Sequence, residues 1–448
     1  MVHNPTSDFA GPSPADDGAP PKTTWSPAAV VAARVVVAAA FTLGALFYLV
    51  GFPGVRDVGF QYHIDLDVYR LGGAVFAAGD PLYGELPPTF FGQHLPFTYP
   101  PLAAVVFAPM SWISLQAAGA VLTVLSLAAL VATLVLALAS VGVRPRTTLV
   151  WTALGGAAAA LTLEPVSSTF DYGQVNILLM VFVAADCLMK KTPWPRGILI
   201  GFVAAVKLTP AVFILYFLFR KDFRAAVTTG TSFVAFGAIG FLVARADSWE
   251  YWTETLFDSS RIGGPAYPAN QSLTGVLARL GLDPSMRTVL WLVLSVAVLA
   301  LAAVAMHRAF AAGLPVVALF VNALFGLLVS PVSWSHHWVW VAPLLVVLAV
   351  AAYRRRSVVL GAAVAASFVL FVLAPHWELG VGRWDGTGWP LWDQFLASSY
   401  VWWALAVMIA VTLSLGRRAR LRAGVADSPR SWRPPPDTVS PAVSRHQQ

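Results

Sequence analysis

The segment VVAARVVVAAAFTLGALFYLVG, residues 30–51, determines the class of fold that the sequence predicts. It carries a single charged residue, Arg34, and its length matches the roughly 20 residues with which an α-helix crosses a bilayer. Apolar segments of similar length recur along the chain as far as residue 416. Backbone polar groups in lipid must be hydrogen-bonded within the chain, so this repetition predicts an all-α, polytopic integral membrane protein.

The composition of the chain supports a membrane protein and argues against other classes. Of the 448 residues, 58% are hydrophobic and 11% are charged, whereas about 25% are charged in a typical soluble domain. The net charge of +7 comes from Lys and Arg in short clusters between apolar segments. This pattern is a membrane orientation signal, and it does not indicate a nucleic-acid groove. The single cysteine, Cys187, excludes an intramolecular disulfide and a cysteine-based metal cluster.

One membrane domain is predicted to fill most of the chain, over residues 28–416. Residues 1–27 lack the basic start and early apolar core of a cleavable signal, so we expect a disordered cytoplasmic tail there. Residues 417–448 are first basic and then rich in proline and serine, and we expect a second cytoplasmic tail.

The basic clusters predict how the chain is threaded through the membrane. Placing all of them in the cytoplasm requires ten full crossings and leaves the other long loops outside. Residues 99–114 are predicted to form a short or re-entrant helix, and residues 197–220 two short helices broken at 207–210, where a proline removes a backbone donor. The total is about 10–12 membrane segments. The crossings are predicted at 30–51, 117–141, 148–163, 175–189, 225–244, 286–306, 314–331, 337–352, 357–374 and 397–416, and the outer loops at 52–98, 164–174, 245–285, 331–336 and 375–396.

The stretch HIDLDVYR, residues 63–70, places two carboxylates in the first outer loop, just before a predicted interfacial helix. On one interpretation Asp65 caps this helix and Asp67 lies in its first turn, where the helix dipole favours both. On the other, one of the carboxylates is a general base held at the membrane surface, near the head group of a lipid-linked substrate.

Two further motifs carry cations or histidines next to apolar segments. Lys207 lies in AAVKLTP, where a lysine costs ~2.5–3.5 kcal/mol on insertion scales. It either extends toward the cytoplasmic surface or binds a phosphate at a broken helix. His336 and His337 lie among tryptophans in SPVSWSHHWVWVAPLL. An aromatic belt explains the tryptophans but not the histidines, which we interpret as hydrogen-bond donors to a phosphate or a sugar, since two adjacent histidines are weak evidence for zinc.

Amide side chains stand where two outer loops enter helices, in FDYGQVNILL (170–179) and PANQSLTGVLARL (268–280). Such residues commonly cap helices, and they also suit sugar hydroxyls, so both interpretations stay open. Asp186 is expected to pair with Lys190 on a helix surface. The chain has no Walker loop or dinucleotide fingerprint, so we expect no ATP, no NAD and no other cofactor.

Taken together, the order of these motifs resembles glycosyltransferase family 87, whose members are GT-C membrane enzymes that use polyprenyl-phosphate sugars. The resemblance covers about residues 30–416. It rests on DLDVYRLGG, GDPLYG, FPGVR, LPFTYPPLAAVVFAP, DYGQVNILLMVFVAAD, AAVKLTPAVFILYFLFRKDFRAA, NQSLTGVLARL and SPVSWSHHWVWVAPLL.

The resemblance implies an inverting transfer of a mannosyl residue from a polyprenyl-phosphate-mannose donor to a mannose hydroxyl of a glycolipid, in an α-(1→2) linkage. Transfer of arabinofuranose from a polyprenyl-phosphate-arabinose donor is the alternative. A lipid or sugar transporter is a weaker one, because we see no inverted repeat and few intramembrane acids. The implied partners are the lipid-linked donor, the mannosylated glycolipid acceptor and membrane lipids. The implied location is the plasma membrane, with the active site on its extracytoplasmic side.

The same resemblance implies roles for individual residues. Asp65 matches the aspartate proposed as the general base, whereas Asp67 stands at a variable position and is not expected to bind a metal. Residues 206–210 and 333–338 match two further family motifs, so Lys207, His336 and His337 are implied to contact the donor phosphate and sugar. The implied substrate-binding set comprises Asp67, Tyr69, Arg70, Tyr99, Gln174, Asn176, Asn270, Gln271, Ser272 and Trp334.

Overall fold

The computed structural model describes residues 26–379 and 389–426, and within those residues it consists of helices without a β-strand. The predicted tail of residues 1–27 lies almost entirely outside the described residues, as do parts of the predicted loop 375–396 and of the tail 417–448. The helices are α1 Pro27–Leu49, α2 Ile64–Ala78, α3 Pro101–Ser111, α4 Leu115–Ser140, α5 Arg146–Ala160, α6 Glu164–Tyr172, α7 Asn176–Leu188, α8 Ile198–Val206, α9 Ile214–Arg220, α10 Phe223–Val243, α11 Arg245–Thr253, α12 Leu273–Arg279, α13 Pro284–Ala311, α14 Pro315–Val329, α15 Val341–Arg355, α16 Val358–Leu373, α17 Leu391–Ala397 and α18 Ser399–Ala426. Five 3₁₀ helices are also described, at Thr209–Phe213, Thr255–Phe257, Ser259–Ile262, Ser335–Trp340 and Pro375–Trp377.

Seven of the described helices are long and apolar enough to cross a bilayer, which confirms a polytopic all-α membrane fold. The helices α5 and α6, bent by 76° at the break between them, form an eighth candidate span. Two of the predicted full crossings are instead the helices α7 and α14, of 13 and 15 residues, which are shorter than a bilayer span. The seven long spans are Pro27–Leu49, Leu115–Ser140, Phe223–Val243, Pro284–Ala311, Ser335–Arg355, Val358–Trp377 and Ser399–Arg417.

The predicted break at residues 207–210 is confirmed. Helix α8 ends at Val206, and Lys207 has an extended backbone, with φ −144° and ψ 121°. The 3₁₀ helix Thr209–Phe213 and then α9 follow, with Pro210 in the first turn, where its missing N–H costs no hydrogen bond. Residues 99–114 likewise contain the short helix α3, as predicted.

Helices α2 and α3 pack closely against each other through a glycine. A Cβ atom at Gly73 would lie 2.8 Å from the backbone N and Cα of Ala108, so any side chain there would collide with the main chain of α3. Because α2 begins at Ile64, this contact fixes the position of its first turn, which carries Asp65.

The first turn of α2 also meets the end of α6 at Gly173. Gly173 has a left-handed backbone, with φ +69°, and a Cβ atom there would lie 2.7 Å from the Cβ of His63. His63 precedes α2 at its N-cap position, so the interpretation of Asp65 as the cap is wrong. The close approach at Gly173 places the next residue, Gln174, beside Asp65.

The prediction for Asp186 is also wrong. Its side chain is buried and does not pair with Lys190. It accepts hydrogen bonds from the Trp194 indole nitrogen at 2.8 Å and from the backbone N–H of Ile200 at 3.0 Å. Asp186 therefore connects the segment after α7 to the first turn of α8. Its partners are brought to it by the turn of the chain between the two helices, and not by the four-residue spacing along α7 on which the predicted pair with Lys190 was based.

Candidate active site

A cavity of about 700 Å³ lies where several short helices end, and this volume is within the usual range of small-molecule sites. Nine of the fourteen predicted site residues line the cavity, and the other five lie elsewhere. The structure thus gathers side chains from residue 65 to residue 337 around one space. The nine are Asp65, Tyr69, Tyr99, Gln174, Asn176, Lys207, Trp334, His336 and His337.

The side-chain amide of Gln174 connects a carboxylate to an ammonium group in the cavity wall. Its Nε2 donates to Asp65 Oδ2 at 2.8 Å. Its Oε1 accepts from the Tyr69 hydroxyl at 2.8 Å and from Lys207 Nζ at 3.4 Å. Because one planar amide is bonded to both, Asp65 and Lys207 are held at its two ends, facing the same cavity.

Lys207 is buried, and its ammonium group is bonded to side chains inside the protein. Its Nζ donates to Asn176 Oδ1 at 3.0 Å in addition to Gln174, and it lies 5.3 Å from the ring centre of Tyr99. The Tyr99 hydroxyl is in turn 3.1 Å from that of Tyr69. The interpretation that Lys207 extends to the cytoplasmic surface is therefore wrong. Within the described residues its hydrogen bonds go to amide oxygens and not to a carboxylate, so its positive charge can bind an anion in the cavity.

The environment of Asp65 favours proton transfer near neutral pH. Burial raises the pKa of its carboxyl group to about 6, while the hydrogen bond from Gln174 and the charge of Lys207 act in the opposite direction. A carboxylate whose pKa is close to the working pH accepts a proton effectively as a general base.

The two histidines are presented to the cavity by the 3₁₀ helix Ser335–Trp340. The carbonyl of His336 accepts hydrogen bonds from Thr169 Oγ1 and Asn176 Nδ2, both at 2.9 Å. The His336 and His337 rings meet edge to face, with centres 4.7 Å apart. Within the described residues, Nε2 of His336 is buried without a hydrogen-bond partner, so it can bond to a molecule in the cavity.

Comparison with known proteins assigns the chain to a family. The model of glycosyltransferase family 87 matches residues 97–331. A polyprenol-phosphate-mannose-dependent alpha-(1-2)-phosphatidylinositol mannoside mannosyltransferase of Mycolicibacterium smegmatis is 46% identical over 393 residues, covering 82% of this chain and 89% of that protein. The chain belongs to glycosyltransferase family 87. It is a membrane glycosyltransferase, as the motifs predicted.

Two further relatives are similar over much of their length. The protein of the same description from Mycobacterium tuberculosis is 45% identical over 369 residues, covering 80% of this chain and 86% of that protein. A polyprenol-phosphate-mannose-dependent alpha-(1-2)-phosphatidylinositol pentamannoside mannosyltransferase of M. smegmatis is 36% identical over 295 residues, covering 63% of this chain and 68% of that protein. No solved structure matches the chain.

The segment matched to family 87 covers only part of the cavity wall. Gln174, Asn176 and Lys207 lie within residues 97–331, whereas Asp65 precedes the matched segment and the two histidines follow it. The placement of Asp65 beside Gln174 is therefore an observation of the structure that is independent of the family match.

Asp67 and Arg70 do not line the cavity, so the structure does not bring them together with the other predicted substrate-binding residues. Asp67 is buried and accepts from the backbone N–H of Phe90 at 2.8 Å and from the Tyr62 hydroxyl at 3.3 Å. Arg70 donates to the carbonyl groups of Met110 and Ile113, at 3.0 and 2.7 Å. Successive residues of a helix point in different directions, so Asp67 faces the loop at Phe90, Arg70 faces the end of α3, and Asp65 faces the cavity.

The predicted substrate ligands in the segment 268–280 are also placed away from the cavity, and they bond within the protein. Asn270, Gln271 and Ser272 are fully buried and do not line the cavity. Gln271 donates to the carbonyl groups of Pro268 and Ala397, and Ser272 caps α12 by accepting from Gly275 N–H at 3.1 Å. Asn270 accepts from the backbone N–H of Ser333 at 3.0 Å, which holds the strand-like segment before the histidines.

One cationic residue of the cavity wall was missed by the sequence reasoning. Arg261, on the 3₁₀ helix Ser259–Ile262, lines the cavity and donates to the Tyr83 carbonyl at 2.9 Å. The sequence does not distinguish an arginine that lines a cavity from an ordinary arginine of a polar loop, because a charged side chain exposed to water has no desolvation cost. Lys207 was found because its apolar surroundings make a charge expensive.

Proposed function

We propose that this family 87 enzyme transfers a mannosyl residue from a polyprenyl-phosphate-mannose donor to a mannose hydroxyl of a phosphatidylinositol mannoside. The relatives named above support this donor and acceptor, because their descriptions give both. The linkage formed would be α-(1→2). The observation that carries the mechanism is the Gln174 amide, which holds a carboxylate and an ammonium group at its two ends.

In the proposed reaction the acceptor hydroxyl attacks the anomeric carbon of the donor. Its proton passes to Asp65, and the bond between the anomeric carbon and the phosphate oxygen breaks, with the electron pair leaving on the phosphate. A β-linked donor would thereby give an α-glycoside with inversion. The phosphodiester carries one negative charge and the departing polyprenyl phosphate carries two, so stabilisation is needed most as the bond breaks.

Lys207 and the histidines are suited to stabilise that charge. The ammonium group and the unpartnered His336 Nε2 both border the cavity that Asp65 lines. Preorganised donors of this kind are commonly worth ~10²–10³ in rate. The lipid chain of the donor fits the apolar part of the same wall, which includes Leu179, Met180, Val183, Leu208 and Phe213.

We further propose that the cavity opens on the extracytoplasmic side of the plasma membrane. Helix α7 begins at the cavity with Asn176, and the chain reaches Lys190 and Lys191 just after its other end. The span that contains α15 begins with the histidines and ends with Arg354 and Arg355. The positive-inside rule puts both basic ends in the cytoplasm, so it puts the cavity outside.

The test is transfer of radiolabelled sugar by the purified protein in lipid nanodiscs. Wild-type protein should add mannose from the polyprenyl-phosphate donor to a phosphatidylinositol mannoside, in a product that an α-(1→2)-mannosidase cleaves. Asp65→Asn should lower kcat by at least ~10²-fold, because the base is lost.

The matched control is Asp67→Asn, two residues away, whose carboxylate lies outside the cavity wall and accepts from Phe90 N–H and the Tyr62 hydroxyl. It should stay within about fivefold of wild type, since an amide oxygen can still accept from Phe90 N–H. Near-normal activity of Asp65→Asn would remove Asp65 as the base. Transfer from a polyprenyl-phosphate-arabinose donor in place of the mannose donor would overturn the proposed sugar.

A further inference from the structure

A buried carboxylate outside the cavity wall receives four hydrogen bonds from neutral donors. Glu164 is only 8% exposed. Its Oε1 accepts from Ser168 Oγ at 2.8 Å, Ser335 Oγ at 2.6 Å and Trp377 Nε1 at 3.0 Å, and its Oε2 accepts from the Tyr400 hydroxyl at 2.9 Å. Within residues 26–379 and 389–426, no lysine or arginine forms an ion pair with it. A buried charge is costly, and these donors are what compensates for its loss of hydration.

The four donors join segments that are far apart in the chain. Ser168 belongs to α6, the helix of Glu164 itself, while Ser335 begins the 3₁₀ helix that carries the histidines. Trp377 ends the short 3₁₀ helix Pro375–Trp377, and Tyr400 lies in α18. Glu164 therefore fastens the histidine segment to three other parts of the fold.

The contact with Ser335 lies directly next to the cavity. The following residue, His336, has its carbonyl held by Thr169 of α6 and Asn176 of α7. Asn176 also accepts from Lys207, whose other partner, Gln174, donates to Asp65. The hydrogen bond to Ser335, the peptide that joins Ser335 to His336 and the bonds of His336 thus connect Glu164 to residues that line the cavity, although Glu164 is not one of them.

We propose that Glu164 is a positioning residue, which fixes the peptide at Ser335 so that the His336 and His337 rings face the donor phosphate. The proposal rests on the proposed function, because it assigns the histidines to that phosphate. Glu164 touches neither substrate nor reacting atoms on this view. Its effect on the reaction is transmitted through one serine hydroxyl.

The structure supplies a matched pair of variants that separates this role from a general effect on stability. Ser335→Ala and Ser168→Ala each remove one serine hydroxyl from the same oxygen, Oε1 of Glu164. Only Ser335 is in the histidine segment. Each variant leaves two other donors on that oxygen, so both proteins should fold, with similar small losses of thermal stability.

The measurement is binding of a short-chain polyprenyl monophosphate, the leaving group of the reaction, to each protein in nanodiscs by calorimetry. Ser335→Ala should weaken binding about tenfold, as expected for losing a hydrogen bond to a charged group, and should raise KM for the donor in parallel. Ser168→Ala should change both by less than about twofold. Equal effects of the two variants, or no effect of either, would overturn the proposal.

Substitutions of Glu164 itself test the same positioning role directly. In Glu164→Gln the amide oxygen can keep three donors, and the amide N–H₂ can donate to the Tyr400 hydroxyl in place of accepting from it. We expect phosphate binding within about threefold of wild type for this variant, and a loss above about tenfold for Glu164→Ala. An alanine variant that binds normally would contradict the proposal. Because binding needs no turnover, a wild-type protein that binds the phosphate but transfers no mannose would refute the proposed function alone.

Discussion

At the scale of single residues, the surroundings of Asp65 determine the pH at which it could act as the proposed base: burial raises its pKa, and Gln174 and Lys207 oppose the rise. The pKa of Asp65 is raised to about 6, mainly by burial, and the positive charge of Lys207 counteracts that rise. Below this pKa the carboxyl group is protonated and cannot accept a proton from the acceptor. We therefore expect kcat/KM of the wild type to fall about tenfold per pH unit below pH 6 and to level off above it.

Lys207→Met should move the midpoint of this profile to higher pH, since one of the two groups that favour the ionised form of Asp65 is removed. The variant will also lose rate at every pH, so the informative quantity is the midpoint and not the height of the curve. Arg70→Met is the control, because Arg70 bonds to the carbonyl groups of Met110 and Ile113, outside the cavity. A midpoint that stays in place in Lys207→Met would mean that Asp65 is not the group that titrates.

A polar residue can be predicted from sequence to have a functional role only where its apolar surroundings make its burial energetically costly. Lys207 could be predicted because a charge in an apolar segment requires a reason. The places of Asn270, Gln271 and Ser272 could not be predicted, because a polar residue before a helix has the same local sequence whether it faces a cavity or a backbone group. Which of the two it faces depends on Ala397 and Ser333, far away in the chain, and no local pattern contains that information.

At the scale of helices, the position of Asp65 depends on how closely α2 approaches α3. A Cβ atom at Gly73 would lie 2.8 Å from the main chain of Ala108, and a backbone atom cannot rotate away as a side chain can. Gly73→Ala should therefore push the two helices apart, with a loss of ~1–3 kcal/mol in unfolding free energy and a loss of activity of at least about tenfold. Thermal unfolding in detergent and the transfer assay measure the two effects.

Gly230→Ala is the matched control for that change. Gly230 also lies inside a helix, α10, but a Cβ atom there would have no neighbour within 4 Å. Alanine favours a helix over glycine by ~1 kcal/mol, so this variant should keep full activity and gain slightly in stability. Equal losses of activity and stability in both variants would mean that the close α2–α3 contact is not the cause of the effect of Gly73→Ala.

A helix break could be predicted where the sequence contains residues that disfavour a continuous apolar helix, such as a proline or a charged residue. The break after Val206 was found from Lys207 and Pro210. The 76° bend between α5 and α6 was not, because the end of the apolar run suggested an outer loop over residues 164–174. That segment is a helix whose polar residues bond to Ser335 and His336, so its structure depends on partners distant in sequence.

At the scale of the whole molecule, the alternation of apolar and basic segments was enough to predict a helical membrane protein. The number of full crossings was harder to predict, because α7 and α14 are apolar but shorter than a bilayer span, α7 beginning and α14 ending at the cavity. A sequence shows how apolar a helix is, whereas surrounding helices determine where it stops. Short helices that end inside the protein are what leaves room for a cavity of this size.

The side of the membrane on which the cavity opens can be tested with cysteines. The single native cysteine, Cys187, is buried, so the wild-type chain should give little background with a membrane-impermeant maleimide. Phe91 is 67% exposed on the loop that Asp67 holds through Phe90, and Lys191 is exposed at the basic end of α7. In intact cells Phe91→Cys should be labelled and Lys191→Cys should not, while permeabilised cells should label both. The reverse pattern in intact cells would put the cavity on the cytoplasmic side, and the lipid-linked donor would then have to be supplied from that side.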